Sequence, residues 1–156
     1  MERTKPIIVV YSYHHMNTEK IAHAMADVLG AEVRYPREIE RKLNEYNFVG
    51  FGAGIDSGKH YAPLLDFVGG LPYTKGGKAF IFSTSGVMSK KKMLRNHETL
   101  REILRSKGYD ILDEFACKGF NTNSVLKFIG GINKGSPNDE DINAAREFAA
   151  VLKKLI

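Results

Sequence analysis

Three short stretches concentrate hydroxyl, amide and glycine positions suited to holding a small ligand. The first reads Ser12-Tyr13-His14-His15-Met16-Asn17-Thr18-Glu19 and joins an apolar, β-branched run to a segment of helical periodicity. A helix start offers free backbone N–H groups and the positive end of the helix dipole, which favour phosphate. Ser12, Asn17 and Thr18 add side-chain donors, although Asn17 or Thr18 would serve equally as a plain helix cap. The stretch lacks the Gly-Lys-Ser/Thr ending of a P-loop, which argues against a nucleoside triphosphatase.

The second stretch is Gly52-Ala53-Gly54-Ile55-Asp56-Ser57-Gly58-Lys59-His60-Tyr61. Its glycines let backbone approach a flat ligand, and Ile55, His60 or Tyr61 could pack on a ring face. Tyr61 also reads as a helix-start residue packing on the domain, and Lys59 as a solvated lysine. The third is Ser83-Thr84-Ser85-Gly86-Val87-Met88-Ser89, rich in hydroxyls, with Val87 and Met88 as apolar cover.

Other chemistries find less support. The histidines His14, His15, His23, His60 and His97 show no His-x-x-x-His or His/Cys spacing for a metal. No Gly-x-Ser-x-Gly elbow supports a serine hydrolase. The single Cys117 precludes an internal disulfide and reads as a buried structural thiol.

The elements that must position these stretches alternate. Residues 7–11 (Ile-Ile-Val-Val-Tyr) are continuously apolar, as in a strand buried on both faces of a parallel sheet. Residues 18–29 place Ile21, Ala22, Met25, Ala26, Val28 and Leu29 at helical spacing, with Gly30 as C-cap. Strands follow at 31–35, 46–53, 78–83 and 109–117, and helices at 61–68 and 97–107. Residues 37–45 read as a short polar helix or turn, and Lys90-Lys91-Lys92 as a solvated loop. A last helix begins near Pro137-Asn138-Asp139 with Ile142, Ala145, Phe148, Ala149, Leu152 and Leu155 as its apolar stripe. Residues 118–137 form a long loop suited to a partner or substrate surface.

Five strands alternating with helices predict an α/β fold in which a parallel sheet is covered on both faces. In such sheets ligands bind beyond the carboxyl ends of the strands, where the strand order reverses. The three stretches follow strands one, three and four, so all lie at that edge. The 156 residues suit one domain, residues 1–156. No apolar run approaches the roughly 18 residues of a membrane span, and no secretory apolar segment opens the chain, so a cytoplasmic protein without membrane insertion is expected. The net charge of +5 comes from scattered basic residues, which does not suggest nucleic acid.

The pattern strand, Ser12-x-x-x-x-Asn17-Thr18-Glu19, helix resembles the phosphate loop of flavodoxins, and the five-strand layout is similar to that family over nearly the whole chain. The resemblance implies a three-layer flavodoxin-like sandwich with sheet order 2-1-3-4-5 and bound flavin mononucleotide (FMN). By that match Ser12, His14, Asn17 and Thr18 surround the phosphate, and Tyr13 and His15 contribute backbone N–H groups. Met16 stands where the family usually has glycine. Gly54, Ile55 and Tyr61 belong to the loop that flanks the isoalloxazine ring in the family. Ser83, Thr84, Ser85 and Gly86 resemble the loop that bonds the polar edge of the flavin, both in flavodoxins and in flavin-dependent quinone reductases. The implied function is low-potential electron transfer to redox partner proteins. The alternatives are an NAD(P)H:quinone-type oxidoreductase and a flavin-free binding module on the same fold.

Overall fold

The computed structural model describes residues 5–12, 17–40, 43–85, 89–118 and 139–156. Strand β1 (Pro6–Tyr11) lies between β2 (Glu32–Arg34) and β3 (Phe48–Asp56), both parallel to it. Strands β5 (Gly77–Ser85) and β6 (Tyr109–Lys118) extend the sheet on the β3 side, again in parallel. The two-residue β4 (Lys59–His60) pairs only with β3, antiparallel. The five long strands thus run β2-β1-β3-β5-β6, which is the expected reversal at β1 with one short strand intercalated in the numbering.

Alternation along each strand splits the core in two. Ile7, Val9, Val49, Phe51, Ala79 and Ile81 face one side, against α2 (Ala62–Gly69) and α4 (Glu98–Ser106). Ile8, Val10, Phe48, Phe80 and Phe82 face the other, against α1 (Asn17–Leu29) and α5 (Asp139–Leu155). Gly50 and Gly52 have a packing reason: a Cβ on either would lie 2.2 Å from the ring of Phe80 or Phe82. Gly30 ends α1 at φ +70°, donating its N–H to the Ala26 carbonyl at 2.8 Å, as a left-handed cap does.

Four local expectations change. The third strand runs on to Asp56 and turns back through Ser57 (φ 54°) and Gly58 (φ 82°), a two-residue hairpin of the kind that needs positive φ at both positions. The helix expected at 97–107 is preceded by another, α3 (Lys90–Asn96), and the lysine triplet is its first turn rather than a loop. The Ser89 hydroxyl caps α3 by accepting the N–H of Lys92 at 3.1 Å; with no apolar stripe in Lys-Lys-Lys-Met-Leu-Arg-Asn, periodicity could not reveal it. The short polar helix or turn expected at 37–45 starts one residue earlier, as a 3₁₀ turn at Pro36–Glu38. On α5, Ala145, Ala149 and Leu152 are buried, but Leu155 is 54% exposed because it lies off their stripe, which Ile156 continues.

Candidate functional site

At the carboxyl edge on the α1 side, neutral hydroxyls draw three elements together. Ser12, just beyond β1, is buried, and its Oγ accepts the N–H of Glu19 at 3.3 Å. One of the N–H groups that a helix start leaves unsatisfied is therefore met by the preceding loop. Asn17 and Thr18 are buried in the first turn of α1. The Thr18 and Thr84 hydroxyls are 2.7 Å apart, tying the start of α1 to the end of β5. Tyr35 hydrogen-bonds Ser12, while burial and the Glu19 charge raise its phenol above the usual range. The donor set is hydroxyl, amide and backbone N–H, the chemistry that a phosphate monoester accepts from.

The second stretch is built around Tyr61. Its N–H donates to the Gly54 carbonyl at 3.1 Å, and its ring stands edge-on to Tyr11 at 5.9 Å. A Cβ on Gly54 would come within 2.6 Å of that ring, so the glycine makes room for Tyr61. Tyr61 and Ile55 remain half-buried, and Lys59 is exposed. His60 does not offer its ring at the surface: it is 1% exposed, with Nε2 3.0 Å from the Phe82 carbonyl.

On the α4 side the edge is ionic. Ser83 Oγ lies 2.7 Å from His97 Nε2, and His97 Nδ1 lies 2.9 Å from Glu114 Oε1. Arg101 grips both Glu114 oxygens at 2.7 Å and also donates to the Leu94 carbonyl. Burial alone would raise the Glu114 pKa, but the hydrogen bonds from His97 and Arg101 outweigh it and bring the carboxyl down to about 2. With Glu114 ionised, His97 donates to it from Nδ1, and its Nε2 is hydrogen-bonded to the Ser83 hydroxyl. His60 packs on this imidazole, ring centroids 4.9 Å apart, and burial with the neighbouring His97 lowers its pKa to about 3. Its Nδ1 has no hydrogen-bond partner among the described residues.

A hydroxyl, an imidazole and a carboxylate in line are the order of a nucleophilic triad. Here Ser83 is 1% exposed, and its strand is paired on both edges, to Ala53 and Ala116. The chain anchors the junction of α3 and α4 to the end of β5. Sequence reading missed it because Ser83, His97, Arg101 and Glu114 share no local motif; they meet only through the register that sets Glu114 beside Ile81.

The structure therefore brings Ser12, Asn17, Thr18, Gly54, Ile55, Tyr61, Ser83, Thr84 and Ser85 to one edge of the sheet. The Ser83 side chain turns to His97 and that of Thr84 to Thr18. Tyr13, His14, His15, Met16, Gly86, Val87 and Met88 lie outside the described residues, as does the loop at 119–138. Cys117 is buried, and burial pushes its thiol up to about 12.

A family model for the flavodoxin domain matches residues 8–137. An uncharacterized protein of Methanocaldococcus jannaschii is 44% identical over 151 residues, covering 96% of this chain and 99% of its own length. Flavodoxin 2 of Bacillus cereus superposes with a TM-score of 0.72 at 15% identity, over 98% of this chain and 100% of that one. Flavodoxin 1 of the same organism gives 0.71 at 19% identity, over 97% and 99%. At these identities the two structures show a shared fold.

Proposed function

Since the chain belongs to the flavodoxin domain family, we propose that it binds FMN at the carboxyl edge of its sheet and serves as an electron carrier. The observation that carries this reading is the hydroxyl cluster of Ser12, Thr18 and Thr84 at the start of α1, at the strand-order reversal. The donor set fits a phosphate dianion: Ser12, Asn17 and Thr18 with the first N–H groups of α1 hold it, and Tyr13, His14 and His15 lie in the same loop. Gly54, Ile55 and Tyr61 border the ring, and Thr84, Ser85 and Gly86 supply its polar edge, while Ser83, expected there too, is buried and turned to His97. The flavin, once bound, supplies the electron chemistry; the protein orients it and tunes its potential through contacts.

Titration with FMN tests the reading. A flavin band near about 450 nm that stays with the protein through gel filtration, and a melting temperature that climbs with FMN concentration, are the expected results. Neither change at saturating FMN would leave a flavin-free binding module. Sustained NAD(P)H oxidation with a quinone would move the assignment from carrier to enzyme.

A further inference from the structure

Beyond the hydroxyl cluster, the carboxyl edge carries a group of cations outside the residues proposed to hold FMN. Helix α3 packs against β4, which places Lys59 on the same side of the edge as Lys90, Lys91, Lys92 and Arg95. All five are exposed, and none joins an ion pair among the described residues. Met93 is half-buried and Asn96 buried, so the outer face of α3 is cationic around Leu94, which is 44% exposed.

Local stability does not account for this pattern. Lys90, Lys91 and Lys92 occupy a first helical turn, where the dipole favours carboxylates. Lys91 and Arg95 are like charges one turn apart, with no acidic residue in α3 to relieve them. Composition extends the asymmetry. Among the described residues, the stretches 57–61 and 89–97 hold Lys59, Lys90, Lys91, Lys92 and Arg95 and no Asp or Glu. The carboxylates nearest along the chain are Asp56, at the end of β3, and Glu98, at the start of α4.

We propose that Lys59, Lys90, Lys91, Lys92 and Arg95, around Leu94, form the docking surface for an acidic redox protein. The proposal rests on the carrier reading for its purpose, while the docking itself needs no flavin. Five cations spread over a hairpin tip and the convex side of a helix do not converge as a nucleotide phosphate site does. They match the charged rim and apolar centre of a protein interface, where charge steers encounter and orientation.

Amide chemical-shift mapping of the full chain against an acidic plant-type ferredoxin and a basic cytochrome c tests this. The expected result is ferredoxin shifts gathered on α3 and the β4 hairpin, with Kd rising about tenfold from about 50 to about 300 mM salt. The K90E/K91E/K92E protein, altered only at exposed positions, is expected to keep its fold and weaken binding by a similar factor. Ferredoxin that leaves α3 unmoved, equal binding by the variant, or cytochrome c bound as tightly at the same amides would each overturn the proposal. So would NADPH that displaces ferredoxin from α3, since the rim would then be a nucleotide site. FMN titration of the chain before any partner is added separates the two readings: a chain that takes up no FMN at saturation yet docks ferredoxin through α3 upholds this one and sinks the other.

Discussion

On the α1 side of the carboxyl edge, Thr18 and Thr84 meet through neutral hydroxyls and Ser12 accepts the Glu19 N–H; on the α4 side, an ionised Glu114 is held by His97 and Arg101. Both clusters lie at the ends of strands in the same sheet, yet they suit different tasks. A neutral hydroxyl bond contributes about 1 kcal/mol net and can be exchanged for a bond to a ligand. A buried charge stripped of its partner costs several times that, so the ionic cluster cannot rearrange cheaply. The α4 side therefore reads as scaffold, and the α1 side as the adaptable wall, where the phosphate of FMN is proposed to bind.

The contrast is most easily broken at Glu114. Replacing it with Ala leaves the Arg101 guanidinium and the His97 Nδ1–H without their acceptor, and a loss of about 2–4 kcal/mol in urea unfolding is expected, partial exposure of the pair being allowed for. A loss below about 1 kcal/mol, the size of a hydroxyl bond, would erase the distinction between the two sides.

Acid should act on the α4 side first. His60 is kept neutral down to about 3, against its ordinary 6.5, so the folded state takes up this proton later than the unfolded chain. The stability it represents is whole above 6.5 and drains as pH falls towards 3. Glu114, lowered from 4.5 to about 2, adds a loss of the same sign at lower pH. Unfolding free energies at pH 7, 6, 5 and 4 are expected to fall more steeply for the native chain than for His60→Phe. Equal slopes would remove His60 as the cause.

The α1 side should show the reverse balance of effects. Thr18→Val deletes the bond to Thr84 and should cost only about 1 kcal/mol of stability. If the proposed FMN site is right, its FMN dissociation constant should nevertheless rise about five- to tenfold, because a hydroxyl at the proposed phosphate site is gone. Ser12→Ala removes the acceptor of the Glu19 N–H and should cost about 0.5–1 kcal/mol, as loss of a helix cap does. If Ser12→Ala destabilised more than Glu114→Ala, the assignment of scaffold and wall would be inverted.

The difference between the sides also explains what could be read in advance. Ser12 and Thr18 stand within one strand-to-helix connection, so a run of β-branched residues followed by helical spacing points to them directly. Thr84 could be placed at the same edge by strand order, though its bond to Thr18 spans 66 positions. The α4 network had no such handle: His60, Ser83, His97 and Glu114 come from four elements, and none is an unusual residue for its segment. Helix α3 was invisible for a related reason, since its outward face is charged and its inward face is little more than Met93 and Asn96.

By itself the sequence determined the alternation of elements, the double-sided burial of β1, and the edge at which the hydroxyl- and glycine-rich stretches gather. Each of these follows from short-range periodicity and from the parallel connections that such alternation enforces. Only the tertiary structure decided which hydroxyls bond one another, that Tyr61 fills the space above Gly54, and that Glu114 reaches His97. Those outcomes depend on strand register and on the angle at which each helix lies over the sheet, and a shift of a single residue in register would turn every such side chain to the opposite face.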